Sequence, residues 1–323
     1  IDIGGPSLVR SAAKNYNDVA VITSTDQYSE LIDEIKTYKG STSLEFRKKM
    51  SRLAFTEVAY YDSIIANYFN KISKIQFPHK KIIHGNLIEK LRYGENPHQK
   101  AAVYSQISSI DIQKIHGKSL SYNNYNDIFS ALTISKSFPK NTGTVITKHA
   151  NPCGVSILKN NLNSYKSALA CDPISAFGGI VACNYKVTET LAYELNKIFL
   201  EVVIANGFNK KALKILKRKK NLRLIDSSNI SFNANLKFNS ICNSILIQTE
   251  DETRFSKLDF QIVSKKKPSK SQYENLIFAF NICRYAKSNA IVLASDKSTI
   301  GIGSGQPSRL DSCKIAIDKM NKF

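Results

Sequence analysis

From about residue 120 onward the chain alternates helical patterns with short apolar runs, and this rhythm restricts its fold more than any other feature. The runs cover 144–147, 179–183, 202–205 and 222–225, and helical spacings lie near 124–137, 160–170, 186–198 and 209–218. Runs of four or five apolar residues suit strands, so the alternation predicts an α/β fold with a mixed or parallel sheet. Farther on, Ser271 and Glu274 offer a capping box for a helix to about Ala286. Strands at 290–294 and 299–302 follow, and the glycine-rich segment 301–305 reads as a turn feeding a final helix.

The first seventy residues have a different grain. A glycine turn, a helix near 7–14, a strand at 18–23 and a helix over about 26–38 are predicted. Thr42 and Glu45 then form a capping box that opens a long helix, with Met50, Ala54, Tyr61, Ile65 and Tyr68 on one face. A polar region follows at 71–90. At 323 residues the chain is too long for one ordinary core, so several domains are expected. The chain opens Ile1-Asp2-Ile3-Gly4-Gly5-Pro6, without an initiator Met, and stops inside its last helix with no stop signal. The expectation is that segments are missing at both ends. No signal peptide and no run of eighteen apolar residues appears, so a cytoplasmic protein with no membrane partner is expected.

Net charge is +20. A basic chain attracts polyanions, which keeps open a nucleic-acid-binding protein without catalytic activity. Against it, the lysines are scattered, and the clusters at 217–220 and 265–267 lack interleaved aromatics. The six cysteines include no C-x-x-C, which argues against a zinc deaminase and leaves reduced thiols, with no metal, as the simplest reading.

Four constellations could carry chemistry. K-H-A-N-P-C-G at 148–154 follows a predicted strand, so Lys148 and His149 sit at a strand's carboxyl end, where α/β folds place their sites. An ammonium beside an imidazole suits charge stabilisation next to proton transfer, although a lone Lys-His pair is more often a solvated loop. Asn151-Pro152 and Cys153-Gly154 are read as a turn that aims both side chains. R-Y-G-E-N-P-H-Q at 92–99 offers the Arg92 fork, the Tyr93 hydroxyl and a glycine backbone to an anion, against an ordinary polar loop. In S-A-F-G-G at 175–179, Phe177 and Gly178 could face a planar ligand, but a core Phe177 in a tight turn is favoured on composition. Finally K-S-N at 287–289 and G-I-G-S-G-Q-P-S-R at 301–309 offer either backbone N–H groups to an anion or a simple helix cap.

In order and spacing these strings, with I-D-I-G-G-P at 1–6, A-A-K-N at 12–15, S-Y-N-N at 121–124, E-V-V-I-A at 201–205 and K-S-N-A at 287–290, closely resemble the bifunctional aminoimidazole carboxamide ribonucleotide formyltransferase / inosinate cyclohydrolase family. The resemblance spans essentially the whole chain. It implies residues 1–70 as the C-terminal part of a methylglyoxal-synthase-like cyclohydrolase domain with a helical linker. It implies cytidine-deaminase-like formyltransferase subdomains at 71–225 and 226–323. The implied reaction moves a formyl group from 10-formyltetrahydrofolate to the 5-amino group of the ribonucleotide (AICAR), and cyclisation to inosinate follows. Folate is a co-substrate, no tightly bound cofactor is implied, and a structural potassium ion is allowed by resemblance only. The carried-over catalytic residues are Lys148, His149 and Asn289. Arg92 and Tyr93 match the 5′-phosphate site, Asn123 and Glu201 match polar positions around the nucleotide and ribose, and Arg309 matches an active-site arginine. Phe177 and Gly178 fall on the folate side, and Asp2 and Lys14 match the cyclohydrolase site. A homodimer is implied. With segments missing, a chain limited to these residues is expected to be inactive or nearly so.

Overall fold

The computed structural model describes residues 1–106, 112–230 and 236–323. The chain divides into two units: Ile1–Asn86 with the segment from Tyr104, and Leu87–Val103 with the described residues from 112 onward. Among the described residues no helix is long and apolar enough to cross a membrane.

The first unit is helical: α1 (Gly4–Lys14), a 3-10 turn at Thr25–Gln27, α2 (Tyr28–Thr37) and α3 (Leu44–Ile72). Helix α1 starts three residues earlier than its sequence pattern predicts and takes in the glycines expected to form a turn. The cap of α3 is Ser43, not Thr42: its Oγ accepts from Phe46 N at 3.1 Å. Thr42 instead offers its carbonyl and hydroxyl to the Arg47 guanidinium. The buried stripe of α3 runs Phe46, Met50, Ala54, Val58, each one turn from the last, whereas Tyr68 is exposed. Residues 18–23 form no strand. An apolar run makes a strand only where another strand completes the ladder, and here the preceding loop is held instead by Arg47, which donates to the carbonyls of Tyr16 and Asn17 at 3.0 and 2.8 Å.

Strands β1 (Asn86–Leu91) and β2 (Ala101–Ser105) form a two-stranded sheet and bracket the 92–99 motif; β1 begins within the predicted polar region. In chain order the second unit continues with β3 (Gln113–His116), α4 (Tyr122–Lys136), β4 (Thr144–Lys148), β5 (Asn151–Ser156), α5 (Asn161–Cys171), the single turn α6 (Pro173–Ala176), β6 (Ile180–Cys183), α7 (Glu189–Asn196), β7 (Val202–Ala205), α8 (Lys210–Leu216) and β8 (Arg223–Asp226). A separate hairpin, β9 (Leu236–Ile241) with β10 (Ser244–Thr249), precedes α9 (Lys270–Cys283), β11 (Ile291–Ser295), β12 (Ser298–Gly303) and α10 (Arg309–Lys322).

Eight strands form one mixed sheet in the order β11-β12-β5-β4-β6-β7-β8-β3. Only β6, β7 and β8 run parallel; the other pairings are antiparallel. The central strands are apolar on both faces, as a sheet covered on both sides requires. Ile146, Val181, Cys183, Val203, Ala205 and Leu224 pack with residues of α5, α7 and α8. Their neighbours Val145, Ile180, Ala182, Val202, Ile204 and Ile225 pack with α4 and α9.

Two details near the C-terminus differ from the sequence reading. The capping box of α9 is Ser269 with Gln272, not Ser271 with Glu274, and the helix stops at Cys283. Gly301 and Gly303 lie inside β12 rather than in a turn. A Cβ at Gly301 would stand 2.1 Å from the Ala316 carbonyl oxygen, and one at Gly303 would stand 1.9 Å from that of Ser312. Their role is to let α10 lie against the strand.

Candidate active site

The antiparallel pair β4–β5 is a hairpin in which Lys148 opposes Asn151, so the turn consists of His149 and Ala150 alone. Both have positive φ, +51° and +56°. The turn therefore precedes Asn151-Pro152, which open β5 instead of bending the chain. Cys153 and Gly154 are strand residues too, and burial pushes the Cys153 thiol up to about 12, with the charge of Asp172 adding to the effect. Cys153 is 8% exposed and packs in the core cluster with Ile146 and Tyr165. Because β4 runs against β6, the carboxyl end of β4 lies at the amino ends of the three parallel strands.

Lys148 ends β4, and its ammonium donates to the Phe177 carbonyl at 2.7 Å. Phe177 is 59% exposed, which overturns the core reading, and its ring leans on Phe199 with centroids 5.4 Å apart. Gly178, at φ +74°, donates to the Phe199 carbonyl at 2.8 Å, and a Cβ on it would approach Lys148 Nζ to 3.9 Å. Phe177, Gly178 and Lys148 thus share one spot, with an exposed ring edge beside a fixed ammonium.

Helix α4 is the hub. Ser121 and Asn124 form its capping box, and Asn124 uses its remaining amide to donate to Glu201 Oε2 at 2.7 Å. Glu201 also lies 3.7 Å from Arg223 Nη1. Asn123 donates to the Glu95 carbonyl at 3.3 Å, which ties the 92–99 loop to the start of the helix. That loop closes on itself: Gly94 N donates to the Gln99 carbonyl and Asn96 N to Gln99 Oε1, at 2.9 and 2.8 Å. Arg92 is exposed and stands over the Tyr93 ring, 5.9 Å from its centroid.

One turn along α4, Asp127 accepts from both residues of the hairpin turn: His149 N at 3.3 Å and Ala150 N at 2.7 Å. Burial pushes the Asp127 carboxyl above its ordinary value; the two N–H groups and the nearby His149 oppose the shift, and the charge of Glu201 adds to it. Asn151 donates to the His149 carbonyl at 3.0 Å and accepts from Lys287 N at 3.1 Å. The loop carrying Asn289 is thereby joined to the hairpin. Asn289 spends its amide N–H groups on the carbonyls of Gln306 and Pro307, at 2.9 and 2.8 Å. What remains for a ligand is its oxygen, an acceptor. Arg309 opens α10 two residues after Pro307 and is exposed. The Ser308 hydroxyl caps that helix, accepting from Leu310 and Asp311 N, so the helix start is capped from within.

Lys148, His149, Asn289, Arg92, Tyr93, Asn123, Glu201, Phe177, Gly178 and Arg309 therefore all fall on elements linked through α4, the hairpin and Asn151. Asp2 and Lys14 belong to the other unit, where Asp2 precedes α1 and Lys14 is its last residue. A rise of about 1.5 Å per residue puts them on the order of 15 Å apart. Asp2 accepts from Gly5 N at 3.2 Å, and its own N–H donates to Tyr61 OH at 2.7 Å. Among the described residues no cluster of three His, Cys, Asp or Glu side chains could hold a metal ion. A cavity of about 1060 Å³, lined by Phe260, Tyr273, Phe280, Val292, Ile300 and Met320 among others, includes none of the site residues.

Sequence reasoning missed Asp127, Asn124 and Asn151 as the residues that organise the site. Asn124 and Asn151 lie inside the S-Y-N-N and K-H-A-N-P-C-G motifs, but Asp127 works 22 and 23 residues away through space and leaves no local signal.

Comparison with known proteins gives one consistent result. A family model described as the AICARFT/IMPCHase bienzyme matches residues 12–319. The bifunctional purine biosynthesis protein PurH of Prochlorococcus marinus (strain MIT 9515) is 45% identical over 331 residues, covering 98% of this chain and 63% of its own length. Its counterpart from Acetivibrio thermocellus is 41% identical over 327 residues, covering 98% and 63%. That of Persephonella marina is 41% identical over 333 residues, covering 100% and 64%. The chain thus spans somewhat under two thirds of the length of the curated relatives it matches.

Proposed function

The chain belongs to the AICARFT/IMPCHase bienzyme family, and from that premise we propose that its second unit transfers a formyl group from 10-formyltetrahydrofolate to the 5-amino group of aminoimidazole carboxamide ribonucleotide. The observation that carries this reading is the hairpin presenting Lys148 and His149 side by side, its turn held by Asp127 and joined through Asn151 to the Asn289 loop.

The chemistry asks for such a pair. The amine is conjugated with the imidazole ring and is a poor nucleophile, so it must lose a proton as its nitrogen bonds to the formyl carbon. His149 takes that proton. The carbonyl oxygen gains charge in the tetrahedral intermediate. The bond from carbon to the folate nitrogen then breaks, and that nitrogen needs a proton. Lys148 serves one of these two needs, as an ion pair to the oxyanion or as proton donor to the leaving nitrogen. Its ammonium keeps donors beyond the one given to Phe177. Asn289 offers its amide oxygen to the N–H groups of the nucleotide. Arg92 and Tyr93 take the 5′-phosphate, Asn123 and Glu201 line the nucleotide and ribose, and Arg309 approaches from the start of α10. Phe177 and Gly178 provide an exposed ring and an unobstructed backbone for the pterin.

The finer assignments rest on family resemblance: the first unit as the remnant of a methylglyoxal-synthase-like cyclohydrolase domain bearing Asp2 and Lys14, cytidine-deaminase-like subdomains at 71–225 and 226–323, a homodimer, and a cytoplasmic location. The nucleic-acid-binding alternative gains no support from the comparisons or from the site. The test is to supply the complete gene product with both substrates and follow formylated nucleotide by chromatography. Formylated product that depends on both substrates supports the reading, and a folded protein that binds neither substrate and forms no product refutes it.

A further inference from the structure

A two-residue hairpin turn with both φ values positive is the type I′ turn, which favours Asn-Gly because each central residue must enter the left-handed region. Here the two residues are His149 and Ala150, at φ +51° and +56°. Each carries a Cβ, and the left-handed conformation costs such a residue about 1–2 kcal/mol. A turn of this composition needs support from outside itself. All four of its backbone polar groups receive it from side chains. Asp127 Oδ2 accepts from His149 N at 3.3 Å and Oδ1 accepts from Ala150 N at 2.7 Å. Asn151 donates to the His149 carbonyl at 3.0 Å, and the Ser130 hydroxyl donates to the Ala150 carbonyl at 3.1 Å. None of these four bonds uses the imidazole, so the backbone is fixed while the ring is left for chemistry.

We infer that Asp127 is the positioning residue for His149: its carboxylate, held on α4, clamps both N–H groups of the turn and so sets where the imidazole points. Both of its oxygens are used, one for each N–H. Asparagine has a single carbonyl oxygen and would turn an NH2 toward the second N–H. Alanine removes both acceptors. Glycine at 150, which enters the left-handed region without a Cβ penalty, should therefore restore part of what the loss of Asp127 takes away. A residue that served only the general packing of α4 would show no such coupling to position 150.

This inference rests on the reading of His149 as the proton acceptor, and the experiment separates the two. Steady-state formyl transfer is measured on the complete gene product for wild type, Asp127→Ala, Asp127→Asn, Asp127→Ala/Ala150→Gly and His149→Ala, with thermal unfolding of each. Loss of Asp127 is expected to lower kcat about tenfold to a hundredfold, the size of effect expected from a misplaced catalytic group, with KM for the nucleotide changed less than about threefold. Adding Ala150→Gly is expected to return about tenfold of that loss. An Asp127→Ala kcat within about twofold of wild type, while His149→Ala is inactive, overturns the inference and leaves the site reading intact. So does a large loss that Ala150→Gly fails to relieve. A fully active His149→Ala overturns the site reading itself. Should Asp127→Ala not fold, Asp127→Asn alone and with Ala150→Gly supplies the same comparison.

Discussion

Replacing Gly154 by alanine tests whether the glycine that ends the 148–154 string is there for packing. Gly154 lies in β5, and a Cβ on it would stand 1.8 Å from the Ala168 carbonyl oxygen, 2.8 Å from its carbonyl carbon and 3.1 Å from Cys171 Cβ. A carbon and a carbonyl oxygen approach to about 3.3 Å at closest, so α5 would have to withdraw by roughly 1.5 Å. That helix cannot withdraw freely. Tyr165, Ala168 and Cys171 are each 1% exposed, and Ser164 donates to the Ser156 carbonyl at 2.9 Å. A gap of even about 0.5–1 Å forfeits a quarter to a half of each dispersion contact along that face. The expected cost is about 3 kcal/mol, at the upper end for overpacked cores. For a unit of this size that lowers Tm by roughly 6–12 °C. Thermal unfolding followed by circular dichroism measures it, with Gly4→Ala as control, since nothing lies within 4 Å of a Cβ there. A Gly154→Ala transition within about 2 °C of wild type would refute the packing argument.

Other outcomes follow from the site and from charge. Arg92→Ala removes the guanidinium proposed to grip the 5′-phosphate, and isothermal titration of the nucleotide should show Kd raised by about tenfold to a hundredfold, the value of a charged hydrogen bond; an unchanged Kd would remove Arg92 from the site. Burial opposes ionisation of Asp172, but Lys319, 2.7 Å away, and the N–H and hydroxyl of Ser175 together hold its carboxyl below the ordinary value. A lowered carboxyl value means that its stabilising contribution is present above the unfolded pKa of about 3.9 and is lost as pH falls through the folded value. Lys319→Met should therefore move the acid-unfolding midpoint to higher pH in a circular dichroism titration, and coincident midpoints would contradict the assignment.

Much of the second unit is legible in the sequence because its strands are short, apolar on both faces and separated by periodic helices. The runs at 144–147, 179–183, 202–205 and 222–225 correspond to β4, β6, β7 and β8. What local pattern could not convey is partnership. Residues 18–23 hold an apolar run that suits a strand, yet among the described residues no neighbouring strand completes a ladder. Gly301 and Gly303 look like a turn until α10 is seen lying against them, through Ala316 fifteen residues after Gly301 and Ser312 nine residues after Gly303. Ser269 and Ser271 each begin an S-x-x-E/Q string, and in the structure the first forms the capping box of α9. At the site, Lys148 and His149 are legible as a string, but local pattern places the bend on Asn151-Pro152, the usual turn formers. The turn falls instead on His149-Ala150, which have no turn propensity, because Asp127 on a distant helix accepts their N–H groups.

The proposed chemistry depends on one imidazole accepting the proton of the nucleotide's amine. Its most direct test is single-turnover formyl transfer by the complete gene product, comparing wild type with His149→Ala at saturating nucleotide and folate. The account predicts product from the wild type, and a rate lower by about a hundredfold to ten-thousandfold in the variant with nucleotide affinity little changed. Equal rates in the two proteins would contradict it.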